Sequence, residues 1–286
     1  MKIRVLFLCL FVLAGCAATP EPKPAPVKIG LALGGGAARG FAHVGVIKAL
    51  ETQGIFPDII VGTSAGAVVG SLYASGRTGF ELQQTALEMT EKQVVGWAWP
   101  NRGWMDGEIL QNFINRAVAN KPLEALPRRI AVVAANLKTG EPILFGSGNT
   151  GVAVRASAAV PGVFQPVTIS GNEYVDGGLV SPVPVRYARQ LGATFVIAVD
   201  ISQRPQDSAT DSTLDILLQT FNIMGKVIGQ YETAEADIVV RPVVSGLPAT
   251  DLSGRHRAIL EGEKAAALVM VELKDKLERK RQAAQP

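Results

Sequence analysis

Ile59-Ile60-Val61-Gly62-Thr63-Ser64-Ala65-Gly66-Ala67-Val68-Val69-Gly70 is the stretch that most narrows what this chain can become. The β-branched run Ile59 to Val61 reads as a buried strand, and the apolar residues after Gly66 read as a helix. Between them stands Gly-x-Ser-x-Gly, which in a strand–turn–helix setting means a nucleophile elbow. The reason is steric. The serine must occupy a turn so sharp that its backbone is strained, with the hydroxyl thrust outward and a helix N-terminus behind it. Gly62 and Gly66 lack the Cβ atoms that would collide across such a turn. Ala65 is small enough to leave its N–H open toward an anion above the serine, where the helix dipole also points. A plainer reading is a glycine-rich turn with a serine helix cap. Other stretches have to decide between them.

Upstream, Lys28 to Leu33 reads as a first strand running into Gly34-Gly35-Gly36-Ala37-Ala38-Arg39-Gly40 and then a helix from Phe41 to Gln53. Strand, glycine loop and helix together present backbone N–H groups to an anion. That anion is either a nucleotide phosphate or the oxyanion of an acyl-transfer intermediate. A P-loop is excluded, because no Gly-Lys-Ser/Thr closes the loop. A dinucleotide turn fits poorly, because Arg39 stands where the third glycine belongs. No acid ends a second strand about twenty residues on, and Asp58 precedes its strand. An oxyanion hole fits better, since the serine elbow follows on the next strand.

The chain begins Met1-Lys2-Ile3-Arg4, followed by the apolar run Val5 to Ala14, too short to span a bilayer and laid out like a secretory signal. It ends Leu13-Ala14-Gly15-Cys16, which resembles the lipobox of bacterial lipoproteins, whose cysteine is acylated after cleavage. An ordinary signal peptide or an uncleaved anchor is the alternative. The expected division is a signal at 1–15, a lipidated Cys16 with a proline-rich spacer at 16–28, and one domain at 29–286. The lipoprotein resemblance, with Ala17 rather than Asp after the cysteine, implies a bacterial envelope protein anchored in the outer membrane on the periplasmic leaflet. Cys9 would leave with the signal, so the mature chain holds no thiol catalyst and no disulfide. Formal charge is +3 and falls to +1 without Lys2 and Arg4, too little to argue for nucleic acid.

Serine needs a positioned base to become a nucleophile. Of the two histidines, His43 lies in the first turns of the helix after the glycine loop, where packing or capping is its expected task. His256 lies between Arg255 and Arg257 at the start of the last expected helix, Ala258 to Arg281. Ser64, Asp176 and His256 follow the Ser–acid–His order of an α/β-hydrolase. The flanking arginines argue for a solvated position, however, and that fold places its oxyanion loop on a later strand. The alternative is a dyad in which Asp176 takes the proton directly. Asp176 stands at the end of an expected strand before Gly177 and Gly178, which suits either a plain turn or a carboxylate presented into a site. The stretch Val94 to Trp104 carries all three tryptophans and suits a lipid interface, a pocket rim or a packed surface loop. Further helices are expected at 80–93, 107–119, 152–160, 183–191 and 214–235, and further strands at 128–136, 142–145, 172–176, 194–200 and 237–241.

Four blocks now carry a resemblance. Gly34-Gly35-Gly36-Ala37-Ala38-Arg39-Gly40, Gly62-Thr63-Ser64-Ala65-Gly66, Ala156-Ser157-Ala158-Ala159-Val160-Pro161 and Asp176-Gly177-Gly178 resemble, in order, the blocks of patatin-like phospholipases. The sequence Gly36 to Val46 is most similar to the bacterial subgroup related to neuropathy target esterase. Ala37 departs from the pattern, since many members carry another glycine there. The resemblance implies a three-layer α/β/α sandwich with a mainly parallel central sheet, distinct from true α/β-hydrolases. It also implies a Ser64 nucleophile, an Asp176 base, an oxyanion held by N–H groups around Gly35, Gly36 and Ala37, and Arg39 holding that loop. The implied substrates are phospholipid or lysophospholipid esters, with no metal and no cofactor. Two rival functions remain at this stage: a non-catalytic envelope lipoprotein binding lipid or protein in the same pocket, and a nucleotide-binding regulator.

Overall fold

The computed structural model describes residues 26–90, 105, 107–203, 205–207, 210–245, 247 and 252–284. The signal, Cys16, nearly all of the spacer and the tryptophan stretch lie outside the described residues. Among those described, eight strands form one sheet: β1 (Ile29–Leu33), β2 (Ile59–Thr63), β3 (Arg129–Asn136), β4 (Pro142–Phe145), β5 (Val167–Ile169), β6 (Asn172–Asp176), β7 (Phe195–Val199) and β8 (Ile238–Val240). The order is β5-β6-β3-β2-β1-β7-β8, with β4 also on β3. The run β3-β2-β1-β7-β8 is parallel throughout, whereas β4, β5 and β6 pair antiparallel. The helices are α1 (Phe41–Thr52), α2 (Ala65–Ala74), α3 (Gly79–Glu88), α4 (Glu108–Ala117), α5 (Thr150–Ser157), α6 (Val185–Gln190), α7 (Thr213–Ala234) and α8 (Arg255–Ala283).

Strand alternation divides the core in two. Leu31, Leu33, Ile60, Val132, Ile197 and Val199 pack with α1, α2 and α8 on one side. Ala32, Ile59, Val61, Val133, Val196 and Ala198 pack with α6 on the other. Both faces of the parallel strands are therefore covered, which is why they read as unbroken apolar runs in the sequence. The expected three-layer α/β/α sandwich with a mainly parallel sheet is the observed architecture.

The expected elements are present with shifted ends. α8 begins at Arg255, three residues before the expected start. α5 starts at Thr150, where the Asn149 side chain accepts the Val152 N–H, and it stops at Ser157. β5 was not among the expected strands. It pairs with β6 through a two-residue turn, Ser170-Gly171, with both residues at positive φ, the geometry that matches strand twist in a tight hairpin.

What positions the site is the use of one edge of β3 by two strands. β2 runs parallel along Arg129 to Val133, and β4 occupies the opposite edge from Val132 to Ala135. β6 pairs antiparallel with Ala134 to Asn136 and so must share the edge that β2 uses. The two strands run toward each other and stop at adjacent positions, Thr63 opposite Val133 and Asp176 opposite Ala134. Their C-terminal ends meet.

α1 and α8 cross closely over small residues. A Cβ on Gly262 would lie 2.0 Å from the Ala42 carbonyl oxygen, and one on Gly45 would lie 1.9 Å from that of Ile259. Gly262→Ala must push two backbones apart and is expected to destabilise the protein by about 3 kcal/mol. Gly225 of α7 has open space where a Cβ would stand, so Gly225→Ala is expected to stabilise by about 0.5–1 kcal/mol. Urea unfolding midpoints of the two variants test the contrast.

Candidate active site

Ser64 sits between β2 and α2 at φ 53° and ψ −117°, a left-handed conformation that costs about 1–3 kcal/mol for a residue with a Cβ. Close packing holds it there. A Cβ at Gly62 would lie 2.4 Å from the Gly66 carbonyl oxygen, and one at Gly66 only 2.0 Å from that of Leu33. Strand end, turn and helix start therefore touch backbone to backbone. The Ser64 N–H donates to Ser157 Oγ at 2.8 Å, and that hydroxyl donates on to the Val133 carbonyl at 2.5 Å. Thr63 Oγ1 donates to the Ser181 carbonyl at 2.8 Å. The Ser64 side chain makes no cap to α2, which removes the helix-cap reading.

That side chain goes instead to Asp176. Ser64 Oγ donates to Asp176 Oδ2 at 2.6 Å, and Asp176 Oδ1 accepts the Gly178 N–H at 2.6 Å. Both residues are buried, at 7% and 6% exposure. The close approach extends to Gly177, where a Cβ would lie 2.2 Å from the Val133 carbonyl oxygen. Burial is the chief influence on the carboxyl, raising its pKa to about 6, while the hydrogen bonds from Ser64 and Gly178 pull the other way. Asp176 is therefore mostly ionised at neutral pH yet markedly more basic than a solvated carboxylate.

The glycine loop lies against the serine, since a Cβ on Gly35 would stand 3.4 Å from Ser64 Cβ. Its donors are not all open, which corrects the expected oxyanion set. The Gly34 N–H goes to the Val199 carbonyl at 3.0 Å, and the Gly35 N–H to that of Pro182 at 2.9 Å. Among the described residues the N–H groups of Gly36, Ala37 and Ala65 donate to no protein acceptor. Arg39 braces the turn, with its Nε donating to the Gly36 carbonyl at 3.0 Å and Nη1 to Gln203 Oε1 at 2.5 Å. Ala38 and Gly40 belong to the 3-10 turn Ala37–Gly40 that leads into α1. Ala37 has φ 51°, a left-handed position that glycine fills without penalty.

Neither histidine reaches the dyad. His43 is fully buried, and its Nε2 donates to the Gly34 carbonyl at 2.8 Å. Burial lowers its pKa to about 4, so the ring is neutral. It packs beneath the loop, as expected. His256 is exposed in the first turn of α8. Ser64 Oγ bonds Asp176 Oδ2 directly, with no imidazole between them. Among the described residues, no group of three or more His, Cys, Asp and Glu side chains is placed to hold a metal ion.

Two supporting residues were not singled out by sequence reasoning. Ser157 lies in the third family block, but only the fold shows its hydroxyl under the Ser64 amide. Glu232, buried on α7, accepts the Ser181 hydroxyl, and its Oε2 accepts the Val183 N–H at 2.9 Å. Burial raises its carboxyl pKa. The turn that it holds is the one that engages both Thr63 and Gly35. An acid within a mostly apolar helix was the available signal.

Ser157→Ala leaves the Ser64 N–H and the Val133 carbonyl buried without this partner, and is expected to destabilise by about 2–3 kcal/mol in urea unfolding. The raised pKa of Asp176 has a stability consequence of definite sign. Ionising it costs the folded state, so stability is lost as pH rises from about 4 through about 6. Asp176→Asn escapes that loss, and its stability relative to wild type is expected to grow by about 2 kcal/mol between pH 4 and pH 8. Urea titrations at the two pH values measure the difference.

Residues 31–189 match the patatin-like phospholipase family. An NTE family protein of Mycobacterium tuberculosis is 33% identical over 200 residues, covering 69% of this chain and 55% of that protein. The chain thus spans about half the length of the mycobacterial relatives that it matches. Human patatin-like phospholipase domain-containing protein 6 is 33% identical over 191 residues, 64% of this chain and 14% of that protein. Among solved structures, VipD from Legionella pneumophila superposes with a TM-score of 0.48 at 14% identity, covering 87% of this chain and 68% of that one. The matched span is more than half of the sequence and contains Ser64, Asp176 and the glycine loop; the chain belongs to the patatin-like phospholipase family.

Proposed function

We propose that the protein is a lipid acyl hydrolase that cleaves carboxylic esters of phospholipids or lysophospholipids with Ser64 as nucleophile and Asp176 as base. The observation that carries this reading is the 2.6 Å bond between the serine hydroxyl and a buried carboxylate of pKa about 6. Its basicity suits proton transfer near neutral pH. Ser64 Oγ attacks the ester carbonyl carbon as its proton passes to Asp176 Oδ2. The tetrahedral oxyanion is received by the N–H groups of Gly36 and Ala37 and by that of Ala65 at the N-terminus of α2, which donate to no protein acceptor among the described residues. Collapse expels the alcohol, which takes the proton from Asp176 and leaves an acyl-serine. Water then gives its proton to Asp176 and attacks the acyl carbon, and Ser64 departs with that proton as the fatty acid is released.

Related proteins support the substrate class. Lysophospholipase NTE1 of Coccidioides immitis, as it is named, is 34% identical over 179 residues, 60% of this chain and 11% of that protein. Acylation of Cys16 would hold the domain at 29–286 on the periplasmic leaflet of an outer membrane, where such lipids are at hand.

The base predicts the pH profile. On a soluble short-chain ester, kcat/KM is expected to rise about tenfold per pH unit below pH 6 and to level above it. A flat profile from pH 4 to pH 8 would argue against Asp176. Ser64→Ala and Asp176→Asn are each expected to lower kcat by about 10³-fold or more in a folded protein, whereas His256→Ala leaves the rate within about twofold of wild type. A fluorophosphonate probe should label Ser64; a folded protein that resists labelling would instead favour the non-catalytic lipid binder.

A further inference from the structure

α7 is anchored most firmly at its C-terminal end and leaves one face exposed along the rest. Glu232 and Thr233 are buried near its C-terminus, and Glu232 grips the turn Ser181-Pro182-Val183. From Thr213 to Ile228 no residue is buried. Ile216, Leu217, Ile223, Met224, Val227 and Tyr231 are between 39% and 77% exposed. At 100° per residue these six side chains and Thr220 fall on one arc of about 120°. Asp215, Lys226 and Glu232 all lie outside that arc. The result is an apolar stripe, free of charge, along about 23 Å of helix.

The stripe belongs to the site's own side of the molecule. At the N-terminal end, Leu217 Cδ2 would lie 3.1 Å from a Cβ on Gly162. Gly162 is in the turn after α5, and the Ala159 carbonyl at the start of that segment accepts the Asp176 N–H at 3.0 Å. At the C-terminal end, the turn gripped by Glu232 accepts from Thr63 Oγ1 and from the Gly35 N–H. The helix therefore touches two segments that are hydrogen-bonded to the Asp176 amide, to Thr63 beside Ser64 and to Gly35 of the glycine loop.

Six half-exposed apolar side chains on one face make a patch of a few hundred Å², the scale at which a soluble protein's largest patch is often functional. That is less than the roughly 800 Å² per partner of a stable protein interface. A lipid surface needs neither that area nor matched hydrogen bonds. No helix among the described residues is long and apolar enough to cross a membrane, so α7 would lie on one. We propose that α7 is an interfacial helix that sets its apolar stripe into a phospholipid surface and brings the Ser64–Asp176 site to its substrate. This rests on the reading of the protein as a lipid hydrolase.

The test separates docking from catalysis. In the full chain with Cys9→Ser and Cys16→Ser, Ile223→Cys carries a nitrobenzoxadiazole probe, and Leu268→Cys on α8, in the opposite layer, serves as control. The vesicles are ether-linked phosphatidylcholine and phosphatidylglycerol with nitroxide-labelled lipid, which offer no ester to cleave. The expected result is a blue shift and nitroxide quenching at position 223 and neither at 268. An unchanged spectrum at 223 on vesicle-bound protein overturns the proposal. So does a blue shift that grows with protein concentration in the absence of vesicles, which would assign the stripe to a second copy of the chain. In a second arm, Ile223→Glu with Val227→Glu should lower hydrolysis of vesicle phospholipid at least tenfold and leave a soluble ester within twofold. Equal loss on both substrates overturns the docking role. A wild-type protein that cleaves neither substrate contradicts the hydrolase reading, while the probe result still decides whether α7 docks.

Discussion

The hydrogen bond between Ser64 and Asp176 exists because two strands of opposite direction share one edge of β3. β2 leaves that edge at Val133 and β6 arrives at Ala134. Neighbouring positions along a strand lie about 3.3 Å apart, so the backbone brings the two chain ends within side-chain reach. No flexible loop has to find the other. The hydroxyl and the carboxylate are 112 residues apart in sequence and 2.6 Å apart in space.

This arrangement places several unfavourable groups together, and the surrounding packing must offset them. Ser64 and Ala37 both hold left-handed backbone conformations. Asp176 is buried with two hydrogen bonds to its oxygens, and its raised pKa records the cost of keeping the charge there. The compensation comes from a parallel sheet covered on both faces and from backbone contacts too close for a side chain at Gly62, Gly66 and Gly177. A strained serine and a desolvated carboxylate are also what the proposed acyl transfer would require, so the instability and that chemistry would have one origin. The Ser181–Val183 turn ties the elbow, the glycine loop and α7 into one unit, because it accepts from Thr63 and Gly35 and is itself held by Glu232.

Much of this was legible before any coordinates. Parallel strands buried on both faces announce themselves as β-branched runs, and the elbow and glycine loop are punctuated by residues that few other conformations would need. Asp176 was ambiguous, because a turn before two glycines has the same local composition as a presented carboxylate. Ser157 looked like one small residue among several, and its hydrogen bond to the Ser64 amide spans 93 residues. Gly35 looked like an oxyanion donor because the loop has that form. Its N–H proved to be spent on Pro182, an acceptor whose position no local pattern encodes. β5 is three residues long and too short to carry a period.

By itself, then, the sequence marked the buried strands and the helices between them, a glycine-flanked turn at Ser64 that suits an elbow, the backbone-donor loop before it and a short set of candidate bases, while the layered architecture came from the family resemblance. The local features follow from sterics and periodicity, which act over a few residues. The pairing of Ser64 with Asp176, the hydrogen bonds that occupy the Gly34 and Gly35 amides, and the exposed face of α7 were decided by tertiary structure. Each depends on which groups remain unpaired after distant elements have met, and a local pattern carries no record of that.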